Sequence, residues 1–569
     1  TFSYLTAYQA SLHGLDKVIK NDANSKPIGR FDGVVKKSHH ISEVTVTDEG
    51  GNRSVYGIPV YNKTQQEITF SIDPPADLVK ARKTGIINYT TNNLLQDHID
   101  HSYGRDNLYS CTTTPGYATS FLLTAILSPD YVDRTGDGVT DDDLGTSVKF
   151  NYSKLSNDFK WRAPYGSHTA NFNEGFINDR KDDKGSIVYG EKEVWYLHSI
   201  ESKTMIAIFE TIKREDALGV KDVNGEMDAG NQLLKLDRIK LYSKEDWLKN
   251  GNNAVPIKVV NFEYDYSLYP GVPNNSGKAV DISGNPTTDN NANVNLYKGK
   301  LTLTKVYFTF GTSSRGQSNP YVFSYDKRPV GTVSNLPANP DEPTGDDPMN
   351  NSFIGHYGTR ETDRWGTYKQ SFYNHQVGNT NVLNNSEFPY APQEDASTPY
   401  SEKELADRFA SKWQLNEIVT PSGSKISVNY ESDDYGYVQN KRAMQMCFVA
   451  DDPNKDLIHA TKLKVHLPKP EANYSDFIKD YLQQADGSIM NKLYFKLMTN
   501  LDNKKLWEFV SGYAEIDVDA FNSLSISDGG YSVEIPIKQI NGYSPFSKAG
   551  WQILISDLPQ YAYDNYDNS

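Results

Sequence analysis

The sequence predicts a mainly β protein made of several antiparallel β-sheets, with irregularly spaced pairs of strands as the repeating unit and few short helices. Three observations indicate this fold class: alternating apolar and polar residues, turn residues between the alternating segments, and an apolar content rich in aromatic rings. The 569 residues include 38 Tyr and 23 Phe against 7 Met, and such rings suit pleated, half-buried strands. A chain of this length exceeds what one hydrophobic core normally serves, so we expect several packed units.

A two-part unit recurs four times along the chain. Its first half reads Leu-x-x-Ile/Val, and its second half alternates apolar and polar residues up to a tyrosine. The copies are 123–126 with 148–152, 236–239 with 260–265, 303–306 with 321–326, and 415–418 with 426–430. Alternation with a period of two predicts strands with one covered face, and turn residues such as those at 421–424 predict hairpins. The irregular spacing argues against a regular propeller or solenoid.

Two short helices are expected. A Ser-x-x-Glu capping box at 401–404 precedes Leu405, Phe409 and Trp413, whose i, i+4, i+8 spacing predicts a helix over 402–413. A second helix is expected across 475–485, where apolar residues share one face.

Composition shifts divide the chain into four predicted segments. Long loops rich in Asn, Asp, Gly and Pro lie at 270–296 and 334–352, and the repeat pattern stops near 460. The segments are a β-rich N-terminal part at 1–119, repeat units with an acidic loop at 120–333, a linker, short helix and further repeat unit at 334–460, and a C-terminal α+β part at 461–569.

Charge and composition exclude several functions. The net charge of -15 argues against nucleic-acid binding, which needs clustered Lys and Arg. Apolar runs fall short of the roughly 20 residues that a membrane-spanning helix needs. Cys111 and Cys447 are too few and too far apart for a disulfide framework, so we expect two buried thiols. Because the chain begins at Thr1 with neither an initiator Met nor a signal peptide, we expect it to be one piece of a longer polypeptide.

Several short motifs follow one another in a definite order. They include Pro-Tyr-Val-Phe-Ser-Tyr at 320–325, Asp-Arg-Trp-Gly-Thr-Tyr at 363–368, Ala-Asp-Arg at 406–408 and Gly-Tyr-Ala-Glu at 512–515, together with the repeat copies at 236–239, 262–265 and 428–431. This order resembles a block in Rhs/YD-repeat-related giant surface proteins of Bacteroidota, in the region before their main repeats. The resemblance covers about residues 120–555.

The resemblance implies a β-sheet strip that spirals into a hollow shell, sometimes around a C-terminal toxin, in a secreted or surface-exposed bacterial protein. The implied partners are the rest of its own larger polypeptide and a toxin cargo. The sequence departs from the family in two respects: Tyr-Asp dipeptides are sparse, and a self-cleavage segment and a toxin are not found in it.

The strongest candidate site is an acidic loop that begins at Asp133. Asp133, Thr135, Asp137 and Asp141 occupy positions 1, 3, 5 and 9 of a calcium-loop pattern, and Val139 offers its carbonyl oxygen. The usual Glu of position 12 is replaced by leucine, and the acidic residues at 142–143 are the available substitutes. We therefore predict a calcium site, with an acidic solvated turn as the alternative. A second acidic loop at 222–228 is a weaker candidate for a cation.

Three functions remain after this search of the sequence. The first is a structural or scaffold segment of a large secreted or cell-surface protein that forms part of an encapsulating β-shell. The second is a surface adhesin or glycan-binding module that uses exposed aromatic residues such as Trp365. The third, a glycan-acting hydrolase, needs two carboxylates in one cleft, and the sequence selects no such pair. We therefore place the scaffold role first, and enzymatic activity stays open because the sequence contains no catalytic motif that would decide it.

Overall fold

The computed structural model describes most of the chain. The described residues are 1–12, 29–78, 81, 85–90, 94–96, 104–136, 138–176, 179–269, 275, 299–326, 362, 366–369, 402–433, 436–438, 441–442, 446–450, 456–467, 469–484, 486–501, 507–523 and 525–564. They form two compact units. Unit 1 comprises Thr1–Asn173, Lys181–Asp326 and Trp413–Val428, and unit 2 comprises Glu174–Arg180, Lys327–Lys412 and Asn429–Ser569.

In the described residues, unit 1 is a large antiparallel β-sheet with short helices. Its strands are β1 (Phe2–Thr6), β2 (Ile41–Thr47), β3 (Arg53–Ser71), β4 (Ile86–Asn88), β5 (Tyr109–Leu127), β6 (Ser147–Ala163), β7 (Thr169–Asn173), β8 (Lys184–Glu201), β9 (Met205–Asp222), β10 (Gly225–Ser243), β11 (Lys258–Leu268), β12 (Lys300–Thr309), β13 (Tyr321–Tyr325), β14 (Leu415–Val419) and β15 (Lys425–Ser427). Its helices are α1 (Ala7–Leu12) and α2 (Lys244–Asn250). The mainly β fold class is therefore confirmed.

The strands of unit 1 follow the order of the chain almost throughout. The 15-stranded sheet runs β1-β2-β3-β5-β6-β8-β9-β10-β11-β12-β13-β14-β15, with β7 pairing with β4 and β8. An additional pairing joins β3 to β8, so that β3, β5, β6 and β8 form a closed cycle of hydrogen-bonded neighbours. From β8 onward the described strands form a simple meander.

All four predicted strand pairs are antiparallel neighbours in this sheet. In every copy the last residue of the first half lies directly opposite the first residue of the second half. The facing residues are Ile126 and Val148, Ile239 and Val260, Val306 and Tyr321, and Ile418 and Ile426. The fourth pair closes as predicted, because Gly423 adopts a φ of 83° and its N–H donates to the carbonyl oxygen of Thr420. The repeat is thus real in structure as well as in sequence.

Unit 2 combines short strands with helices. Its strands are β16 (Tyr437–Val438), β17 (Lys441–Arg442), β18 (Phe448–Val449), β19 (Lys462–His466), β20 (Lys492–Asn500), β21 (Trp507–Glu515), β22 (Ile526–Ser527) and β23 (Ser532–Pro536). Its helices are α3 (Glu402–Ser411), α4 (Tyr474–Phe477), α5 (Pro545–Ser556) and α6 (Pro559–Asp564). One sheet has the order β18-β19-β23-β22, and β20 pairs with β21.

An apolar core holds unit 2 together. Alternate residues of β20 and β21 point inward, among them Phe495, Leu497 and Val510. The fully buried ring of Phe546 on α5 packs edge-to-face on Phe495, with centroids 4.8 Å apart. Because this packing removes large apolar surfaces from water, it stabilises unit 2.

The two predicted helices are present with altered ends. Helix α3 ends at Ser411, so the expectation that Trp413 lies on its apolar face is wrong. Trp413 has a φ of 65° and belongs to unit 1, where its N–H donates to the carbonyl oxygen of Asp326 at 3.0 Å. The second helix begins at Tyr474 as α4, and its last turn, Ile478–Leu482, has π geometry.

Several other expectations fall on residues outside the described set. These are most of the loops at 270–296 and 334–352, and Trp365. The four predicted segments remain a prediction, as does the assignment of the chain to a longer polypeptide. Cys111 and Cys447 are half-buried thiols. Among the residues that are described, none belongs to a helix long and apolar enough to cross a membrane.

Candidate functional site

The predicted calcium loop lies in the connection between β5 and β6. A two-residue bridge closes its base, since Val132 and Leu144 exchange backbone hydrogen bonds of 3.2 and 3.1 Å. Leu144, which occupies position 12 of the calcium pattern, therefore serves to close the loop.

Two aspartates hold the inside of the loop. The carboxylate of Asp133 accepts hydrogen bonds from the N–H groups of Thr135, Gly136 and Gly138 at 3.2, 2.7 and 2.9 Å. The buried carboxylate of Asp143 accepts from the hydroxyl of Tyr131 at 2.7 Å and from two further backbone N–H groups.

Burial opposes ionisation of Asp143, but these hydrogen bonds outweigh it and hold the pKa of Asp143 below its usual value. The pKa of the Tyr131 hydroxyl is raised, by burial first and then by its bond to Asp143. The pair is thus held as a carboxylate that accepts from a neutral phenol.

The ammonium groups of three lysines bind oxygen atoms of the same loop. Lys149 Nζ donates to the Val139 carbonyl oxygen at 2.9 Å, and Lys244 Nζ pairs with Asp141 Oδ1 at 2.5 Å. Lys203 Nζ donates to the carbonyl oxygen of Asp143 at 2.6 Å. A divalent cation held by the predicted oxygens must therefore replace ammonium groups that hold them in this structure.

The structure thus places four of the five predicted ligands, Asp133, Thr135, Val139 and Asp141, within one closed loop. Asp137 lies outside the described residues. Within the described part of the chain, groups of three or more His, Cys, Asp or Glu side chains suited to a metal are not found. The calcium site remains a prediction.

A buried charge cluster joins three strands and was missed in the sequence. Glu193 on β8 is 3% exposed, and its Oε1 contacts the ammonium groups of Lys36 and Lys154, both at 2.7 Å. Its Oε2 accepts the N–H of Tyr61 at 3.2 Å, just where the β3–β8 ladder ends at Asn62 and Lys192. The carboxylate therefore satisfies a backbone donor where the strands diverge.

The charge states of this cluster follow from its burial. Burial alone would raise the pKa of Glu193, but the two ammonium groups outweigh it and hold that pKa below its usual value. Burial lowers the pKa of Lys154, although Glu193 opposes this effect. The cluster is thus an ionised carboxylate shared by two lysines.

A second buried group, Arg162 on β6, fixes the tip of the β9–β10 hairpin. Its guanidinium donates to the carbonyl oxygens of Val223 and Thr169, both at 2.6 Å, and to the hydroxyl of Tyr89 at 3.0 Å. Gly225 at this tip has a φ of 93°, and a Cβ there would lie 2.5 Å from the carbonyl oxygen of Gly166. The acidic segment at 222–228 therefore forms a packed hairpin tip, and its binding of a cation remains a prediction.

A cleft of about 500 Å³ lies between α2 and the face of β8, β9 and β10. Ile208 forms part of its lining, with His198, Glu210, Lys240, Tyr242, Trp247 and Asn252 around it. The ring centroids of Tyr242 and Trp247 are 4.9 Å apart, with the ring planes at 45°. The cleft combines aromatic rings with polar side chains, and the sequence pattern did not select it because these residues come from separate elements.

Comparison with known proteins gives only a weak likeness. No protein-family model and no curated protein matches the chain. A Tc holotoxin pore of Photorhabdus luminescens is similar at 9% identity and a TM-score of 0.18, over 88% of this chain and 21% of that one. A TcdB2–TccC3 crystal structure is similar at 10% identity and a TM-score of 0.17, over 83% of this chain. The chain spans about a fifth of these neighbours, 21% in each case.

Proposed function

We propose that the chain is a scaffold segment of a large secreted or cell-surface bacterial protein of the Rhs-related kind. The observation that carries this proposal is the common register of four hairpins within one 15-stranded sheet. Each added hairpin extends the sheet in the same way, because in every copy the last residue of the first half faces the first residue of the second half. A sheet of this kind can be extended by further hairpins, and an added hairpin does not need a hydrophobic core of its own.

The edges of the sheet support the same proposal. Strand β1 pairs with β2 on one side, and its Phe2 and Tyr4 side chains are 78% and 64% exposed. An apolar edge strand is a template for further pairing. In the longer polypeptide, we propose, this edge receives another strand, and the extended strip contributes to a shell around a toxin cargo.

Amide hydrogen exchange tests the scaffold proposal. Exchange in β1 is compared between the 569-residue chain and the native full-length polypeptide. The proposal expects slower exchange of β1 amides in the full-length protein, with the central strand β9 unchanged as an internal control. Equal exchange rates of β1 in the two proteins would show that the strip does not continue at this edge.

Protease treatment of intact cells tests the proposed location. Antibodies against this chain should lose their signal when intact cells are treated with proteinase K, while a cytosolic marker persists. Protection in intact cells with degradation only after lysis contradicts a surface location.

We further propose that the loop at 133–143 binds calcium through Asp133, Thr135, Asp137, Val139 and Asp141. The closed base and the four described ligand positions on one turn support this. Calcium would take the oxygens that Lys149 and Lys244 hold, so that the two ammonium groups turn to solvent or to Glu201, which already lies 3.5 Å from Lys244.

Glycan binding is the second candidate function. It is favoured by the cleft beside α2, where aromatic and polar side chains line one cavity.

A further inference from the structure

The cleft beside α2 has a floor of balanced charge. Glu210 Oε1 pairs with Lys240 Nζ at 2.6 Å, and Glu210 Oε2 pairs with Arg238 Nε at 3.1 Å. Arg238 also contacts Asp237 at 3.0 Å. The two charges that line the cleft, Glu210 and Lys240, therefore compensate one another, and Arg238 and Asp237 continue the charge pairing outside the lining. A ligand with a full charge would have to break one of these pairs, so the floor favours an uncharged ligand with polar groups.

Hydrogen-bonding capacity remains at the rim. His198 and Asn252 line the cleft, and within the described part of the chain neither side chain makes a hydrogen bond or ion pair. Asn252 offers both a donor and an acceptor, and so does a neutral imidazole. Hydroxyl groups, which also donate and accept, complement such side chains.

An aromatic wall completes the cleft. Tyr242 is 5% exposed and forms an apolar cluster with Ile206 and Ile208. Trp247 on α2 is half-buried and packs against this cluster. The indole therefore presents part of its surface to the cavity. A pyranose ring has apolar C–H faces and hydroxyl groups at its edge, so it matches an indole surface beside a polar rim.

We propose that this cleft binds a sugar residue of a neutral glycan, with Trp247 stacking on the sugar ring and His198 and Asn252 bonding its hydroxyl groups. The inference rests on glycan binding, the second candidate function, and adds the site and the ligand class. It is independent of the scaffold role. A volume of about 500 Å³ accommodates one or two sugar rings.

Affinity electrophoresis of the full chain tests this proposal. The protein is run in native gels that contain a soluble neutral polysaccharide (a β-glucan, a xylan, a galactomannan or a dextran) or the anionic polygalacturonate. Retardation is expected in at least one neutral gel and not with polygalacturonate. Trp247→Ala should weaken binding by roughly tenfold or more, since it removes the stacking surface.

Two further variants keep the test decisive. Asn252→Ala changes an exposed side chain outside the local core and should weaken binding by about fivefold, the equivalent of one hydrogen bond. Trp507→Ala, which removes an exposed tryptophan in unit 2, is the matched control and should leave retardation unchanged.

Three results would overturn the proposal. They are an absence of retardation in every neutral gel, retardation by polygalacturonate alone, and unchanged binding in both Trp247→Ala and Asn252→Ala. Binding to polygalacturonate alone would leave glycan binding in place while rejecting the neutral class. Exchange at β1 is measured separately, so failure here does not bear on the scaffold role.

Discussion

The two units differ in their best-defined buried clusters, although each unit buries both apolar and charged side chains. In unit 1 the buried positions include ionised or strongly polar side chains, among them Arg162, Glu193 and Asp143, each joined to several partners. In unit 2 the core that joins β20 and β21 to α5 is a continuous apolar cluster around Phe495 and Phe546. A wide sheet with diverging strands has backbone groups to satisfy inside it, whereas a helix packed on a hairpin has mainly apolar surface to cover.

This difference sets what each unit is sensitive to. A buried charge is stable only while its partners keep their own charges, so unit 1 depends on pH and on single polar residues. An apolar core depends on the volume of its side chains. Native-state amide exchange reads the free energy of opening for strands of each unit separately.

The largest effect is expected from Phe546→Ala. Because the ring is fully buried against Phe495, its loss should destabilise unit 2 by about 4 kcal/mol, within the usual range for Phe-to-Ala changes in a core. The measurement is amide exchange in β20 and β21. Tyr563→Ala in the same unit is the control, since that ring is 82% exposed and its loss should cost less than about 0.5 kcal/mol. Similar costs for the two variants contradict an apolar core as the main support.

Glu193→Gln tests the charge cluster of unit 1. The change removes the negative charge between Lys36 and Lys154 and should cost about 3 kcal/mol, the low end for a broken buried ion pair, because the amide oxygen still accepts one hydrogen bond. Exchange in β3 and β8 provides the measurement. A cost below about 0.5 kcal/mol, typical of surface substitutions, would mean that the cluster does not hold these strands.

Acidification should reduce the difference in the free energy of unfolding between wild type and Glu193→Gln. The folded-state pKa of Glu193 is lowered, so its stabilising contribution is present above the unfolded pKa of about 4.3 and is lost as pH falls through the folded value. Urea unfolding of unit 1 at pH 7 and pH 3 checks the sign. A gap between the two proteins that widens at low pH would refute it.

Calcium should stabilise unit 1 alone. At a hundred times its dissociation constant, a ligand that binds only the folded state contributes about 2.7 kcal/mol. We expect calcium to slow exchange at the base of the loop, where β5 meets β6, and EGTA to reverse this, while exchange in β21 does not change. Asp133→Asn removes a predicted ligand and should abolish the response. If EGTA leaves the exchange of β5 and β6 unchanged, the loop is only an acidic turn.

The smallest effect is expected from Glu263→Gln. The substitution is chemically the same as Glu193→Gln, but the Glu263–Lys305 pair of 3.0 Å has side chains 39% and 45% exposed. Exposed pairs contribute about 0–1 kcal/mol because water and salt screen them. Exchange in β11 and β12 measures the cost. If Glu263→Gln cost as much stability as Glu193→Gln, burial would not explain why the two ion pairs are expected to differ.

The hairpins were predictable because their signal is local. Alternating residues and turn signals lie within each strand pair, and no distant contact is needed to set the register. The helix end was less predictable: the apolar spacing included Trp413, but a positive φ and the bond to Asp326 place it in the sheet unit. Tertiary contacts thus decided where the helix pattern ended.

The polar clusters depend on distant residues. Tyr61 and Glu193 are 132 positions apart, and only the β3–β8 pairing brings them together. One signal was present in the sequence, since Glu193 shares the alternation phase of the buried Ile187 and Tyr189 in β8. A buried carboxylate needs a cationic partner, because burying an unpaired charge is costly. The sequence alone does not identify Lys36 as that partner.

The shared register of the hairpins has a consequence for how such a chain can change over evolutionary time. The register of the facing positions is constant, whereas the connections differ: the first carries the acidic loop, the second carries α2 and the cleft, and the fourth is a tight turn at Gly423. New segments inserted between paired strands leave the strand order and the facing residues as they are. The sheet can therefore exchange its loops while its strand framework stays the same.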